Sequence, residues 1–143
     1  MLKELSFGAV LFRVEKGKIY YLLLQHSKNY FNFPKGGLEK DEGAIRAAKR
    51  EILEETGIKD VKIIKGFKEK NNYIFRQKRK LIFKTVIFFL AQTKEEKVTI
   101  SKEHIGYKWL SYEDAISFLR IKDLKKILKK ADDFLKSLQN KSR

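Results

Sequence analysis

The chain has 143 residues, of which 43% are hydrophobic and 13% aromatic, and it sets 33 Lys and Arg against 18 Asp and Glu for a formal net charge of +15. That length supports one hydrophobic core rather than two; the absence of cysteine excludes disulfides and thiol chemistry and fits a reducing cytoplasm; and no apolar run reaches the length of a signal sequence or a membrane span. The charge calls for polyanionic company such as nucleotides, RNA or acidic surfaces, set against a plain Lys bias spread over every solvated face.

Apolar and β-branched residues over 6–14 and 19–26 predict two strands joined as a hairpin through the turn residues 15–18. Gly8 marks a close approach of a neighbouring backbone or a ligand. His26, at a strand end, is expected as a hydrogen-bonded edge residue. The only Pro of the chain, Pro34, opens the loop Lys35-Gly36-Gly37, where backbone groups can approach a charged ligand and where Lys35 would meet phosphate.

A helix is predicted over 42–56, burying Ile45, Ala48 and Ile52, leaving Lys49 and Arg50 in solvent, and stopping at Gly57. Its last turns carry Glu51, Glu54 and Glu55, where the helix dipole makes each acid unfavourable by about 0.3–1 kcal/mol and the three repel one another. A bound cation offsets both costs; the alternative is a solvated charged face. Oxygen ligands without cysteine suit magnesium or manganese rather than zinc.

Residues 61–70 and 73–75 read as strands about an Asn71-Asn72 turn. The basic link Gln77-Lys78-Arg79-Lys80 leads into an apolar strand over 81–91, buried on both faces. Within it Lys84 either snorkels from an edge or reaches a polar pocket. In the segment 101–110, Trp109 is assigned to the core, Tyr107 either stacks on a base or packs, and His104 is a loop hydrogen-bonding residue. Ser111 caps a helix with Asp114 at its third position. From Ile121 the apolar positions Leu124, Ile127, Leu128, Ala131, Phe134, Leu135 and Leu138 form an amphipathic helix, with 140–143 expected as a flexible end.

Gly36, Glu42 after five residues and, after seven more, Arg50-Glu51-Ile52-Leu53-Glu54-Glu55-Thr56-Gly57-Ile58 together resemble the signature of the Nudix hydrolases at each of its specified positions. The resemblance implies an α/β/α sandwich in which a mixed sheet lies between helices 42–56 and 122–139, as a single domain over 1–143. It implies a magnesium site, or a manganese one, made of Glu51, Glu54, Glu55 and the Gly36 carbonyl, and oriented by Arg50 and Glu42. Glu54 or Glu103 would help generate hydroxide, and Lys35, Arg76, Lys78 and Lys84 would grip phosphates.

Phe33-Pro34-Lys35-Gly36-Gly37, Lys84-Thr85-Val86 and the segment 103–110 are similar to the asymmetric diadenosine tetraphosphate hydrolases, which imply a nucleotide substrate. Gly37, where those enzymes often have His, and Ile121, where they carry an aromatic, depart from that pattern. An RNA 5′-pyrophosphohydrolase is the alternative, and a non-catalytic nucleotide- or RNA-binding protein the second. The expected state is a cytoplasmic monomer or weak dimer with no membrane association.

Overall fold

The computed structural model describes residues 2–141. Along the chain these form β1 (Leu2–Glu15), β2 (Lys18–Ser27), β3 (Tyr30–Asn32), β4 (Lys35–Gly37), α1 (Ala44–Thr56), β5 (Lys62–Ile63), β6 (Glu69–Gln77), β7 (Lys80–Gln92), β8 (Gly106–Leu110), α2 (Tyr112–Phe118) and α3 (Lys122–Lys141).

The sheet is organised around β1. It pairs antiparallel with β2 and β4, and parallel with β7 from Leu2↔Ile82 to Phe12↔Gln92. β7 carries β6 and β5 antiparallel on its other side, while β2 carries β3 and β8. One parallel pair inside an otherwise antiparallel set makes the sheet mixed, as expected. Alternation along β1 divides the core in two. Val10 and Phe12 face α2 and α3, with Leu124, Ile127, Leu128 and Ala131; Phe7, Ala9 and Leu11 face α1, with Ala47, Ala48 and Ile52. The result is the expected α/β/α sandwich.

Two hairpins close through two-residue turns with both residues in the left-handed region, the type I′ geometry that matches strand twist. In the β1–β2 turn these are Lys16 at φ 51° and Gly17 at φ 78°; in the β6–β7 turn they are Lys78 at φ 49° and Arg79 at φ 68°. The second hairpin corrects the sequence reading. Asn71 and Asn72 do not turn but lie within β6 opposite Val86 and Thr85, and Thr85 Oγ1 donates to the Asn72 side chain at 2.8 Å. Only Lys62–Ile63 of the expected strand 61–70 pairs ahead of β6.

Other boundaries also shift. Ile45 shares the helical angle of Ile52 but is exposed, and Ala47 takes its place in the core. β7 is buried on both faces only from Phe88 to Ala91, and Leu81 near its start is exposed. Trp109 packs partly buried against the α1-side core and donates its indole N–H to the Glu96 carbonyl at 2.8 Å. Ser111 Oγ accepts from the Asp114 N–H at 3.3 Å, the expected cap. α3 runs through residue 140 instead of fraying there; 142–143 lie outside the described residues.

Candidate active site

Gly57, at φ 74°, ends α1 by donating its N–H to the Leu53 carbonyl at 2.8 Å. The Lys35 N–H, donating to Glu55, and the Gly37 carbonyl, accepting from Arg50, hold the acidic last turns against β4, which pairs with β1. Gly8 is the point of closest approach: a Cβ there would fall 2.1 Å from the Pro34 carbonyl oxygen, so the neighbour anticipated at Gly8 is the β4 backbone. At Gly36 a Cβ would fall 2.0–2.3 Å from the Glu51 carboxylate. The group that needs a bare backbone at Gly36 is therefore a side chain of the signature helix.

Arg50 is not a solvated residue. Its Nε and Nη2 donate to the two Glu42 carboxylate oxygens at 2.7 and 3.0 Å, and its Nη1 reaches Glu51 at 2.8 Å, Glu54 at 3.1 Å and Glu39 at 3.4 Å. Nη2 also bonds the Gly37 carbonyl, which clamps helix to loop. The fork geometry of guanidinium permits this multiple grip. Hydrogen bonding to Arg50, with help from the Glu39 N–H, holds the Glu42 carboxyl below its usual range, and Arg50 is raised chiefly by its bond to Glu42. The orienting pair expected from sequence is present, and Glu39 is an addition that the signature spacing did not flag.

Glu51 and Glu55 face inward, whereas Glu54 is 53% exposed on the outer side of the Arg50 clamp. Among the described residues no three acidic or histidine side chains are gathered at metal-binding distance, since the Arg50 guanidinium bridges Glu51 and Glu54. The donor set nonetheless suits a hard cation. It is all oxygen, and its inner member has too little positive charge nearby: burial pushes the Glu55 carboxyl up to about 8, with Glu51 and Glu103 adding to the shift. Burial likewise raises Glu51. The exposed Glu103 acts electrostatically on Glu51, Glu55 and Lys35, which places it at the same cluster.

Lys35 joins the acids to a cationic strip. Its N–H donates to Glu55 Oε1 at 3.0 Å, while its ammonium is held below the usual lysine range by burial and by Lys84. Lys84 pairs with Glu4 at 3.2 Å and its side chain is 15% exposed, so it lies on the sheet face beside Lys35 instead of snorkelling from an edge.

Next to them is a ring cluster that the sequence did not disclose. His26 packs on Tyr30 at 4.9 Å and on His104 at 4.4 Å, and His26 Nε2 is buried without a hydrogen-bond partner, contrary to the edge role expected for it. Burial, then His104 and Lys35, push His26 down to about 4. His104 is buried, accepts or donates at Nδ1 with Ser101 Oγ at 3.0 Å, and has Nε2 at 3.9 Å from Glu55.

Two expected phosphate contacts are not brought to this cluster. Arg76 pairs opposite Leu81, three positions along β7 from Lys84 and on the other sheet face, and Lys78 sits in the turn beyond it, at least ~13 Å from Lys84 at the rise of a strand. Tyr107, in β8 opposite Leu24, is exposed; it lies three strand spacings, roughly 14 Å, from Lys84 on β7, at the end of the sheet that carries His26 and His104. The continuous β6–β7 hairpin carries Arg76 and Lys78 away.

The NUDIX domain model matches residues 2–134. The bis(5'-nucleosyl)-tetraphosphatase [asymmetrical] of Mus musculus is 37% identical over 140 residues, spanning 90% of this chain and 92% of that one. That of Sus scrofa is 36% identical over 143 residues, covering 92% and 95%. The crystal structure of a C. elegans Ap4A hydrolase binary complex superposes with a TM-score of 0.80 at 32% identity, covering 94% of this chain and 98% of that one. Nudix hydrolases generally use divalent metal ions, which agrees with the oxygen donors around Gly36. With the signature helix, its Arg50 clamp and the surrounding sheet all in place, the chain belongs to the NUDIX family and is a pyrophosphohydrolase.

Proposed function

We propose that the chain is a magnesium-dependent hydrolase that cleaves dinucleoside polyphosphates asymmetrically, diadenosine tetraphosphate giving ATP and AMP. The observation that carries this reading is the double engagement of Lys35, whose N–H is bound by the inner carboxylate of the acid cluster while its ammonium neighbours Lys84. Acids and lysines thus abut along one surface. The asymmetric tetraphosphatases of similar sequence support the same substrate class.

Glu51, Glu54, Glu55 and the Gly36 carbonyl would hold the cation. When bound, magnesium lowers the pKa of water and neutralises charge on phosphate oxygens. Lys35 and Lys84 bind the phosphate chain and orient it, and Arg50 with Glu42 keeps Glu51 and Glu54 in position. Glu103 or Glu54 accepts the proton of the attacking water. The water oxygen bonds to phosphorus, the bridging P–O bond breaks, and the leaving nucleotide departs with the bridging oxygen.

Incubation with diadenosine tetraphosphate and magnesium, followed by chromatography, is expected to yield ATP and AMP in equal amounts; ADP as the sole product would overturn the assignment. Glu54→Gln is expected to lower turnover at least about 100-fold while the melting temperature is kept, because an exposed pair with Arg50 contributes little stability. Loss of both together would make Glu54 structural.

The second reading, an RNA 5′-pyrophosphohydrolase, is favoured by the basic hairpin tip beyond Lys84. Competition between the dinucleotide and a 5′-triphosphorylated RNA, compared as kcat/KM, separates the two.

A further inference from the structure

The two type I′ turns of this chain differ in one respect. The β1–β2 turn places Gly17 at its second left-handed position, as the geometry favours; the β6–β7 turn places Lys78 and Arg79 at both positions with no glycine. Non-glycine residues at positive φ are unfavourable, and strain of this kind tends to persist where function retains it. What the second turn gains is charge. Arg76, Lys78, Arg79 and Lys80 fall within five residues, and among the described residues none of the four side chains has a hydrogen-bond or ion-pair partner.

The tip is also continuous with the sheet face that carries Lys84. Tyr73 stands opposite Lys84 and Phe75 opposite Ile82, so both rings lie on the sheet face of Lys84, with centroids 6.0 Å apart and Tyr73 37% exposed. A row of rings leading from Lys84 to the turn cations Lys78, Arg79 and Lys80, with Arg76 on the opposite sheet face, is a surface for a flexible polyanion with flat bases: phosphates on the cations, bases on the rings. An anionic lipid surface would use the cations but has no use for rings set along the strand between the tip and Lys84.

We propose that the β6–β7 hairpin is a binding site for single-stranded RNA, with the phosphodiester backbone held at the Lys78-Arg79 turn. The site extends past the phosphates that are hydrolysed and does not depend on whether RNA is itself a substrate.

The test is fluorescence anisotropy of a 3′-labelled single-stranded oligoribonucleotide in EDTA, so that binding is read without cleavage and failure of the hydrolytic assignment stays a separate result. The double variant Lys78→Asn, Arg79→Gly installs the preferred type I′ pair, so it removes the charges while relieving the turn. It is expected to melt higher by roughly 2–4 °C, to bind the RNA about tenfold more weakly, and to lower the slope of log affinity against log salt by about 1.4. Lys80→Gln, outside the turn, is expected to weaken binding by roughly threefold. Wild-type affinity in both variants would overturn the site. So would tight binding of the wild-type protein to phosphatidylserine vesicles that excess RNA does not displace, an outcome that would assign the tip to a membrane surface.

Discussion

At the scale of single residues, the contact between Gly36 and Glu51 separates function from stability. The carboxylate is the far end of a flexible side chain, so a methyl at residue 36 displaces it at little cost to the fold. Gly36→Ala is therefore expected to reduce turnover by at least about 100-fold and to leave the melting temperature within a few degrees. An equal collapse of melting temperature and activity would show that the contact serves packing.

His26 is the second informative residue. Its folded pKa is depressed to about 4 by burial, then by His104 and Lys35. Above the unfolded value near 6.5 both states are neutral and His26 contributes no pH dependence; as pH falls through that value toward 4 the unfolded chain takes up the proton first, and stability is lost. His26→Phe, which keeps the ring packing on Tyr30 and His104, is expected to lose fewer degrees of melting temperature than wild type between pH 7 and pH 4, with the difference confined to that window. Parallel curves would mean that His26 protonates freely in the fold.

At the scale of elements, α1 and β4 act as one unit because Arg50 ties the helix to Glu42 and to the Gly37 carbonyl. Lys cannot reproduce a planar fork that holds two carboxylate oxygens and still reaches Glu51 and Glu54. Arg50→Lys is expected to lower turnover by roughly 10–100-fold, with a melting temperature reduced by several degrees; wild-type turnover would show that the clamp does not orient the acids. The helix and its acids were legible in the sequence because they combine a 3.6-residue period, a glycine stop and three carboxylates against the dipole. The β6–β7 hairpin was not. Its turn lacks the Asn-Gly or Gly signal that marks such geometry, whereas Asn71-Asn72 carries the signal and lies mid-strand, paired to β7 by a neighbour 14 residues or so away. That displaced turn moved Arg76 and Lys78 out of the expected phosphate grip. The His26, Tyr30 and His104 cluster was hidden for another reason: it joins residues far apart in sequence through the β2–β3 and β2–β8 pairings.

At the scale of the molecule, a formal charge of +15 surrounds a site whose own centre is acidic. The carboxylates repel a polyphosphate, while Lys35 and Lys84 and the wider field attract it, so association is where the charge excess acts. Raising the salt from about 50 to about 500 mM shortens the screening length to a few ångströms. kcat/KM is expected to fall steeply over that range while kcat at saturating substrate stays nearly constant. Lys84→Ala removes the cation nearest Lys35 on the strip, so it is expected to lower kcat/KM by about tenfold at low salt and to flatten the salt dependence. Metal affinity, read by calorimetry without substrate, should be unchanged, since the side chain of Lys84 pairs with Glu4 and not with the signature acids. A Lys84→Ala protein whose kcat/KM matches wild type at both ends of the salt range would remove Lys84 from substrate binding and leave Lys35 as the only inner cation of the strip.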